Sequence, residues 1–130
     1  NYYDTYVDLP AGLTPTVTTS YGVTSTAETK GLATVSKVRV LGTNNWITTV
    51  TYYDEKARPI YVYSKNDELE TVDILESNLD GFTGKVLEIK STHKKTGKAD
   101  IVAVDQDPTK NINTMENVVF VMKDGKIYKQ

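Results

Sequence analysis

The chain contains no cysteine, so disulfides, thiolate nucleophiles and cysteine-based zinc or iron-sulfur sites are excluded together. Histidine is nearly absent as well: His93 is the only one, and it stands beside Lys94 and Lys95, as a solvated turn residue would. No apolar run approaches the roughly 18 residues that a membrane-spanning helix needs. The longest run is Val118 to Met122, which has the length of a strand. We therefore expect no metal site, no cofactor and no membrane span.

An excess of positive charge is also missing. The 15 Lys and Arg residues nearly balance the 17 Asp and Glu residues, for a net charge of -2. Nucleic-acid binding depends on a basic field that gathers phosphates, so nucleic acid is not an expected partner. The chain begins at Asn1 without an initiator Met or a signal-peptide core. We expect either a mature form left by cleavage or a piece of a longer protein.

Residues that suit a pleated sheet are plentiful. The 130 residues include nine Tyr, and Thr, Val and Ile are frequent. Runs of these residues alternate with turn chemistry, which predicts one all-β domain over 1–130, built as an antiparallel meander of hairpins in a repeat-like sheet or a small sandwich. The predicted strands are Lys37–Leu41, Trp46–Tyr53, Pro59–Tyr63, Leu69–Glu76, Gly84–Ser91, Ala99–Val104, Asn117–Lys123 and Lys126–Lys129.

Two hairpins stand out. Asp124-Gly125 supplies the positive φ angles of a two-residue turn near the C-terminus, and residues 42–45 form a polar four-residue loop. From Trp46 to Tyr53 neither alternating face is plainly polar, which is typical of a strand covered on both sides. The segment Leu69–Glu76 has the Glu and Leu content of a short helix, but its β-branched residues favour a strand.

The N-terminal part differs in kind. Leu9 to Leu32 is rich in Pro, Gly, Thr and Ser with little periodicity, so residues 1–35 are predicted to be extended chain laid over a surface, or a linker. Asp105 to Glu116 is predicted to be a second loop. These features divide the chain into an extended segment (1–35), a hairpin region (36–95) and C-terminal strands (97–130).

One segment carries a family resemblance. Tyr52-Tyr53-Asp54 leads through a short turn to Arg58 and a returning strand, with a partial echo around Asp80, Gly81 and Gly84 and another at Tyr2-Tyr3-Asp4. This pattern resembles the Tyr-Asp (YD) repeat of RHS proteins, which has Tyr-Asp, two variable residues, Gly-Arg and then a strand. Ala57 stands where that family usually has Gly, and Ala is costlier than Gly at positive φ.

The run from about residue 1 to 93 is similar to the RHS-repeat-associated proteins of Bacteroidetes-type bacteria. The resemblance implies hairpins that wind as a continuous sheet into a structural shell around a toxin or effector. It also implies a Tyr ring packed between layers, with Asp and Arg paired at the turns.

The last part resembles another family. Gly97 to Asp105, Asp107-Pro108 and Glu116 to Tyr128 are similar to the C-terminal end of metal-dependent amidohydrolases, where this stretch forms a small β-sandwich beside the catalytic barrel. The two resemblances meet near residues 96–105. Those enzymes bind metal through several His residues, whereas this chain has only His93.

The remaining candidates for chemistry are carboxylates and tyrosines. The turn aspartates, Asp54 and Asp80 among them, are expected to bond their own backbone. Asp73, Asn78 and Asp80 offer oxygen ligands for calcium, but no D-x-D-x-D-G loop supports such a site. A set of aromatic residues is expected to pack between layers rather than form a stacking platform for sugars: Tyr52, Tyr53, Tyr61 and Tyr63.

No catalytic residue is therefore predicted, and we do not expect an enzyme. We expect a bacterial, secreted or cell-surface module that gives strands to a larger repeat shell or to copies of itself through its edge strands. A carbohydrate-binding or adhesive module is the alternative, with a glycan as partner. An accessory β-sandwich of an amidohydrolase ranks last.

Overall fold

In the part of the chain that the structure describes, alternating β-branched and aromatic residues form one open, nine-stranded antiparallel sheet, in which each strand pairs with the next along the chain. The computed structural model describes residues 1–95, 98–105, 110, 113, 116, 118–123 and 126–129, with the backbone alone for 98–100 and 105. The predicted all-β class and antiparallel meander are confirmed. The strands are β1 (Tyr2–Asp4), β2 (Thr29–Arg39), β3 (Trp46–Tyr53), β4 (Pro59–Asn66), β5 (Thr71–Leu79), β6 (Val86–Lys95), β7 (Lys98–Asp105), β8 (Val118–Lys123) and β9 (Lys126–Lys129).

Strand bounds differ from the sequence prediction at several places. Strand β1 lies in a segment predicted to be extended chain, β4 continues to Asn66, and β6 is Val86–Lys95 rather than Gly84–Ser91. Strand β2 begins at Thr29, well before Lys37. Strand β5 begins at Thr71 rather than Leu69. The Asn66 side-chain oxygen accepts hydrogen bonds from the amides of Glu68 and Leu69, and these bonds close a turn before the strand. The short helix considered for Leu69–Glu76 does not form, since the β-branched residues of this segment lie in β5, which pairs with β4 and β6.

Strands β6 and β7, which flank the point where the two family resemblances meet, pair with each other in the sheet. Strands β6 and β7 pair from Glu88 opposite Asp105 to Lys95 opposite Lys98, with no shift in register. Strand β7 in turn pairs with β8. The C-terminal strands therefore continue the sheet of the hairpin region in a single layer, instead of forming a second packed sheet.

One face of the sheet is covered by the segment between β1 and β2, residues 5–28. On β3 the side chains of Thr48, Val50 and Tyr52 are buried on this face. Val35 of β2 lies directly opposite Val50 and completes the core cluster. The segment adds partly buried apolar side chains to this cluster: Tyr6, Leu9, Leu13 and Val17.

Tyr52 is the centre of this core and is fully buried. Its ring stacks on Tyr6, with centroids 4.7 Å apart, and meets Tyr61 edge-on at 5.7 Å. Its hydroxyl donates to the Thr14 carbonyl oxygen at 2.7 Å. Burial, followed by the neighbouring Tyr61, raises the pKa of Tyr52 to about 12. The phenol therefore stays neutral and joins the covering segment to the sheet.

Glu76 of β5 forms a second attachment for the covering segment. Its Oε1 accepts the Ser20 amide at 2.7 Å, and its Oε2 lies 2.9 Å from Lys90 Nζ. Burial alone would raise the pKa of Glu76, but the hydrogen bonds from Lys90 and Ser20 outweigh it and hold that pKa below its ordinary value of 4.5.

The opposite face is only half-buried, so the prediction that β3 is covered on both sides is wrong. Ile47, Thr49, Thr51 and Tyr53 point to this face and are shielded in part by their neighbours on β2 and β4. Aliphatic side chains elsewhere on the face are open to solvent, with Val38 58% exposed. Within the described residues there is no helix with the length and apolar character that crossing a bilayer requires.

Acid should loosen the covering segment through Glu76. A depressed pKa contributes stability that is complete above the unfolded value of 4.5 and is lost as the pH falls through the folded value. Glu76→Gln should lower the free energy of unfolding by about 1–2 kcal/mol at pH 7, and its difference from wild type should vanish at low pH. Urea unfolding across the acid range measures this difference.

Glu28→Gln, at an exposed position in the same segment, is the matched control and should keep the wild-type pH slope. Equal acid dependence in wild type and Glu76→Gln would contradict this role for Glu76.

Candidate functional site

The two turns that carry the Tyr-Asp resemblance lie at the same end of the sheet. Residues 54–58 connect β3 to β4, and residues 80–85 connect β5 to β6. Alternate connections of an antiparallel meander fall on the same side. Each turn begins with an aspartate directly after the last strand residue, and each aspartate uses its side chain to close the turn.

Asp54 organises the first turn. Its Oδ1 accepts the amides of Lys56 and Arg58, each at 2.9 Å, and its own amide donates to the Arg58 carbonyl oxygen at 2.9 Å. Ala57 has φ +58, in the left-handed region that favours glycine. The residue at the repeat's usual glycine position thus adopts the backbone conformation for which glycine is suited.

Asp80 organises the second turn in the same way. Its Oδ1 accepts the amides of Phe82 at 3.2 Å and Thr83 at 2.6 Å, as well as the Thr83 hydroxyl. The amide of Gly84, at φ +72, donates to the Asp80 carbonyl oxygen at 3.0 Å. This turn is one residue longer than the first, but it combines the same two elements, an aspartate that accepts turn amides and a left-handed residue near its end.

Arg58 joins the two turns. Its Nε and Nη2 lie 2.7 and 2.6 Å from Asp54 Oδ2, while its Nη1 donates to the Asp80 carbonyl oxygen at 3.1 Å. A β-carbon on Gly84 would come within 3.2 Å of Nη1. Lys56 adds a hydrogen bond to the Gly81 carbonyl oxygen. We call this contact between turns 54–58 and 80–85 the Arg58 junction.

Both carboxylates of the Arg58 junction accept hydrogen bonds within the turns. Burial opposes ionisation of Asp54, but the Arg58 side chain and the turn amides outweigh it and lower its pKa. The hydrogen bonds from Thr83 lower the pKa of Asp80. A carboxylate held in its charged form by several donors is a weak general base, and it carries no proton to donate near neutral pH. The site suits a structural role better than acid-base chemistry.

The other residues singled out by sequence fall in three places. Tyr52 lies in the core, and the Tyr53 hydroxyl donates to the Ala33 carbonyl oxygen at 2.7 Å. Tyr61 and Tyr63 pack against that core, so these four tyrosines do not form an open platform. Asp124 and Gly125 lie outside the described residues; the strands that flank them are paired, with Lys123 opposite Lys126.

Candidate metal ligands do not converge in the part of the chain that the structure describes, where no group of three or more His, Asp or Glu residues could hold a metal ion. His93 pairs with Asp73 across β5 and β6, with Nδ1 and Oδ1 2.5 Å apart on an exposed surface. Asp73 and Asn78 are separated by an odd number of strand positions and so point to opposite faces. Asp80 is engaged in its own turn.

Sequence reasoning missed a groove on the covered face. It has a volume of about 550 Å³ and is lined by Asn1, Tyr2, Asp8, Lys37 and Trp46. Its only signal in the sequence is Trp46, the single tryptophan, at the start of a strand. Asp8 and Lys37 are brought together by the path of the covering segment, which strand periodicity does not predict.

Comparisons with family models, with curated proteins and with solved structures find no match for this chain.

Replacing Arg58 should destabilise the sheet through both turns. Arg58→Met leaves a buried carboxylate unpaired and should lower the free energy of unfolding by about 2–4 kcal/mol. Arg58→Lys keeps the charge but not the forked geometry, so it should recover only part of that loss. Urea unfolding at pH 7 measures both values.

Arg39 is the matched control, because it also bonds a hairpin loop, through the Thr43 carbonyl oxygen and the Asn44 side chain, but is exposed. Arg39→Met should cost less than about 1 kcal/mol. Equal losses of unfolding free energy in Arg39→Met and Arg58→Met would show that the Arg58 junction stabilises the protein no more than an exposed loop contact does.

Ala57→Gly should stabilise the protein. Glycine relieves the left-handed strain at φ +58, a gain of about 1–2 kcal/mol, against about 0.4–1 kcal/mol of added unfolded-state entropy. The net gain of about 0.5–1 kcal/mol should appear as a higher urea midpoint with an unchanged slope. Ala27→Gly, at a position without positive φ, should instead destabilise. A loss of stability in Ala57→Gly would count against this turn conformation.

Proposed function

We propose that this chain is a non-catalytic structural module of RHS-repeat type, which contributes β-strands to a larger shell or to a self-assembled structure at the cell surface or outside a bacterial cell. The observation that carries the proposal is the Arg58 junction, in which one hairpin turn is bonded to the next equivalent turn. Such a contact between successive hairpins is what a sheet built by repetition requires, because each unit is stabilised by its neighbour.

The open edges of the sheet support the same proposal. Strand β1 has three residues and two register shifts, and it reaches along β2 only as far as Val35. Residues Ser36 to Arg39 of β2 therefore pair with β3 on one side and with no strand of the described chain on the other. Such a stretch presents backbone donors and acceptors that another strand can complete.

The opposite edge of the sheet, formed by β9, is less open to pairing with another strand. Strand β9 has four residues, and two of them are lysines, Lys126 and Lys129. Short, charged edges resist indiscriminate pairing, so assembly through this edge requires a partner strand of matching length and charge. A partner from the same repeat sheet, or a second copy, meets that requirement better than an arbitrary chain.

The chemistry of the site favours this function over catalysis. The conspicuous polar cluster, the Arg58 junction, directs its donors and acceptors to backbone groups and to one internal ion pair. A structural module needs that arrangement, whereas an active site needs groups left free to meet a substrate.

Association through edge strands is measurable by size-exclusion chromatography with light scattering over a concentration series. The mass should rise with concentration, and Val38→Lys combined with Ile127→Lys should reduce the rise, because added charge on edge strands opposes pairing. Leu75→Lys is the control: it places a lysine at an exposed apolar position on an interior strand, and it should leave association unchanged.

A sharp, stable monomer at millimolar concentration would contradict the proposal. A loss of association in Leu75→Lys but not in the edge variant would also contradict it, since the contact would then lie on the face of the sheet.

A further inference from the structure

The groove beside Trp46 has the composition of a ligand site. We call it the Trp46 groove; it is lined by Asn1, Tyr2, Asp8, Lys37 and Trp46 and has a volume of about 550 Å³. Strands β1, β2 and β3 form its floor, with Tyr2 opposite Val35 and Trp46 opposite Arg39. The first turn of the covering segment supplies Asp8 as a wall.

Two aromatic rings line this groove and remain open to solvent. Trp46 is 41% exposed and Tyr2 is 38% exposed, whereas Tyr52 on the same face is fully buried. Folding gains free energy by burying large aromatic side chains, and an aromatic with one open side is typical of a binding surface. The rings can therefore receive an apolar face of a ligand.

The charged side chains of the groove are balanced. Asp8 and Lys37 form an ion pair, and Asp8 has φ +55, an uncommon backbone conformation for a residue other than glycine. The Asn1 side-chain oxygen accepts the Ser36 hydroxyl. The groove thus offers a carboxylate acceptor, an ammonium donor and an amide close together without an excess of either sign.

We propose that the Trp46 groove binds a neutral saccharide. A sugar ring has an apolar C–H face that packs on aromatic rings, and hydroxyl groups that both donate and accept hydrogen bonds. The open aromatic rings match the first property, and the mixed carboxylate, ammonium and amide groups match the second. A phosphate-bearing ligand requires an unbalanced positive charge, which the Asp8–Lys37 pair removes. A wholly apolar ligand would remove water from these polar groups without offering them hydrogen bonds in exchange.

Tryptophan fluorescence tests the proposal directly, because Trp46 is the only tryptophan in the chain. The chain is titrated with neutral oligosaccharides (cellohexaose, xylohexaose, maltohexaose, mannohexaose and chitohexaose) and, separately, with AMP and oligogalacturonate. At least one neutral saccharide should give a saturable change in emission below about 20 mM, and the two anions should give none.

Tyr2→Ala should weaken binding by about three- to tenfold, the effect of removing one aromatic contact. Tyr3→Ala is the matched control, because Tyr3 is the next residue on β1 and is not among the residues that line the groove; its affinity should stay within about twofold of wild type. Lys37→Met tests the polar wall independently and should also weaken binding. Urea unfolding of each variant establishes that it is folded.

Three results would overturn the proposal. They are the absence of a saturable response to every neutral saccharide, a response to AMP or oligogalacturonate in their place, and equal losses of affinity in Tyr2→Ala and Tyr3→Ala. This function is independent of strand-mediated assembly, so either proposal can fail without the other.

Discussion

The structure depends on burial of one face of β3. A single-layer sheet exposes both of its faces. In this chain residues 5–28 fold over Val50 and Tyr52 and so cover one of the two faces. The stacked rings of Tyr6 and Tyr52, the hydroxyl bond to Thr14 and the Glu76 bond to Ser20 hold that segment in place. Without this cover, the largest apolar side chains of the central strands would face water, and a sheet with so few other buried residues would have little to stabilise it.

Beyond the covered region, contacts between turns stabilise neighbouring hairpins of the sheet. The Arg58 junction couples β3–β4 to β5–β6 at one end, where the guanidinium group satisfies a buried carboxylate and a backbone carbonyl at once. A forked, always charged group suits this double task. Because the contact repeats the same turn chemistry at neighbouring hairpins, it ties the local geometry of one hairpin to that of the next. A sheet that grows by adding hairpins needs this property.

The two proposed functions use different parts of the molecule. Assembly would use the backbone groups at the sheet edges, above all Ser36 to Arg39 of β2, whereas saccharide binding would use side chains on the covered face around Trp46. They meet on β2, since Lys37 lies in the edge stretch and also lines the groove. If a strand were added beside Lys37, it would form a new wall of the groove, and the site would then be more enclosed than in the single chain.

The sequence by itself determined most of the strands and turns from Trp46 onward, because these follow from local preferences, whereas β1 and the first part of β2 lie in a segment without clear periodicity. β-branched and aromatic runs form strands, Asp54 and Asp80 close turns, and Ala57 occupies a left-handed position that the repeat pattern marks. The tertiary structure alone decided which face of β3 is covered, that Glu76 receives the Ser20 amide and that Arg58 reaches Asp80. It also brought Asp8 to Lys37 beside Trp46. The physical reason is that the path of residues 5–28 has no periodicity to predict it, and contacts between residues distant in sequence depend on the free energy of packing the whole chain.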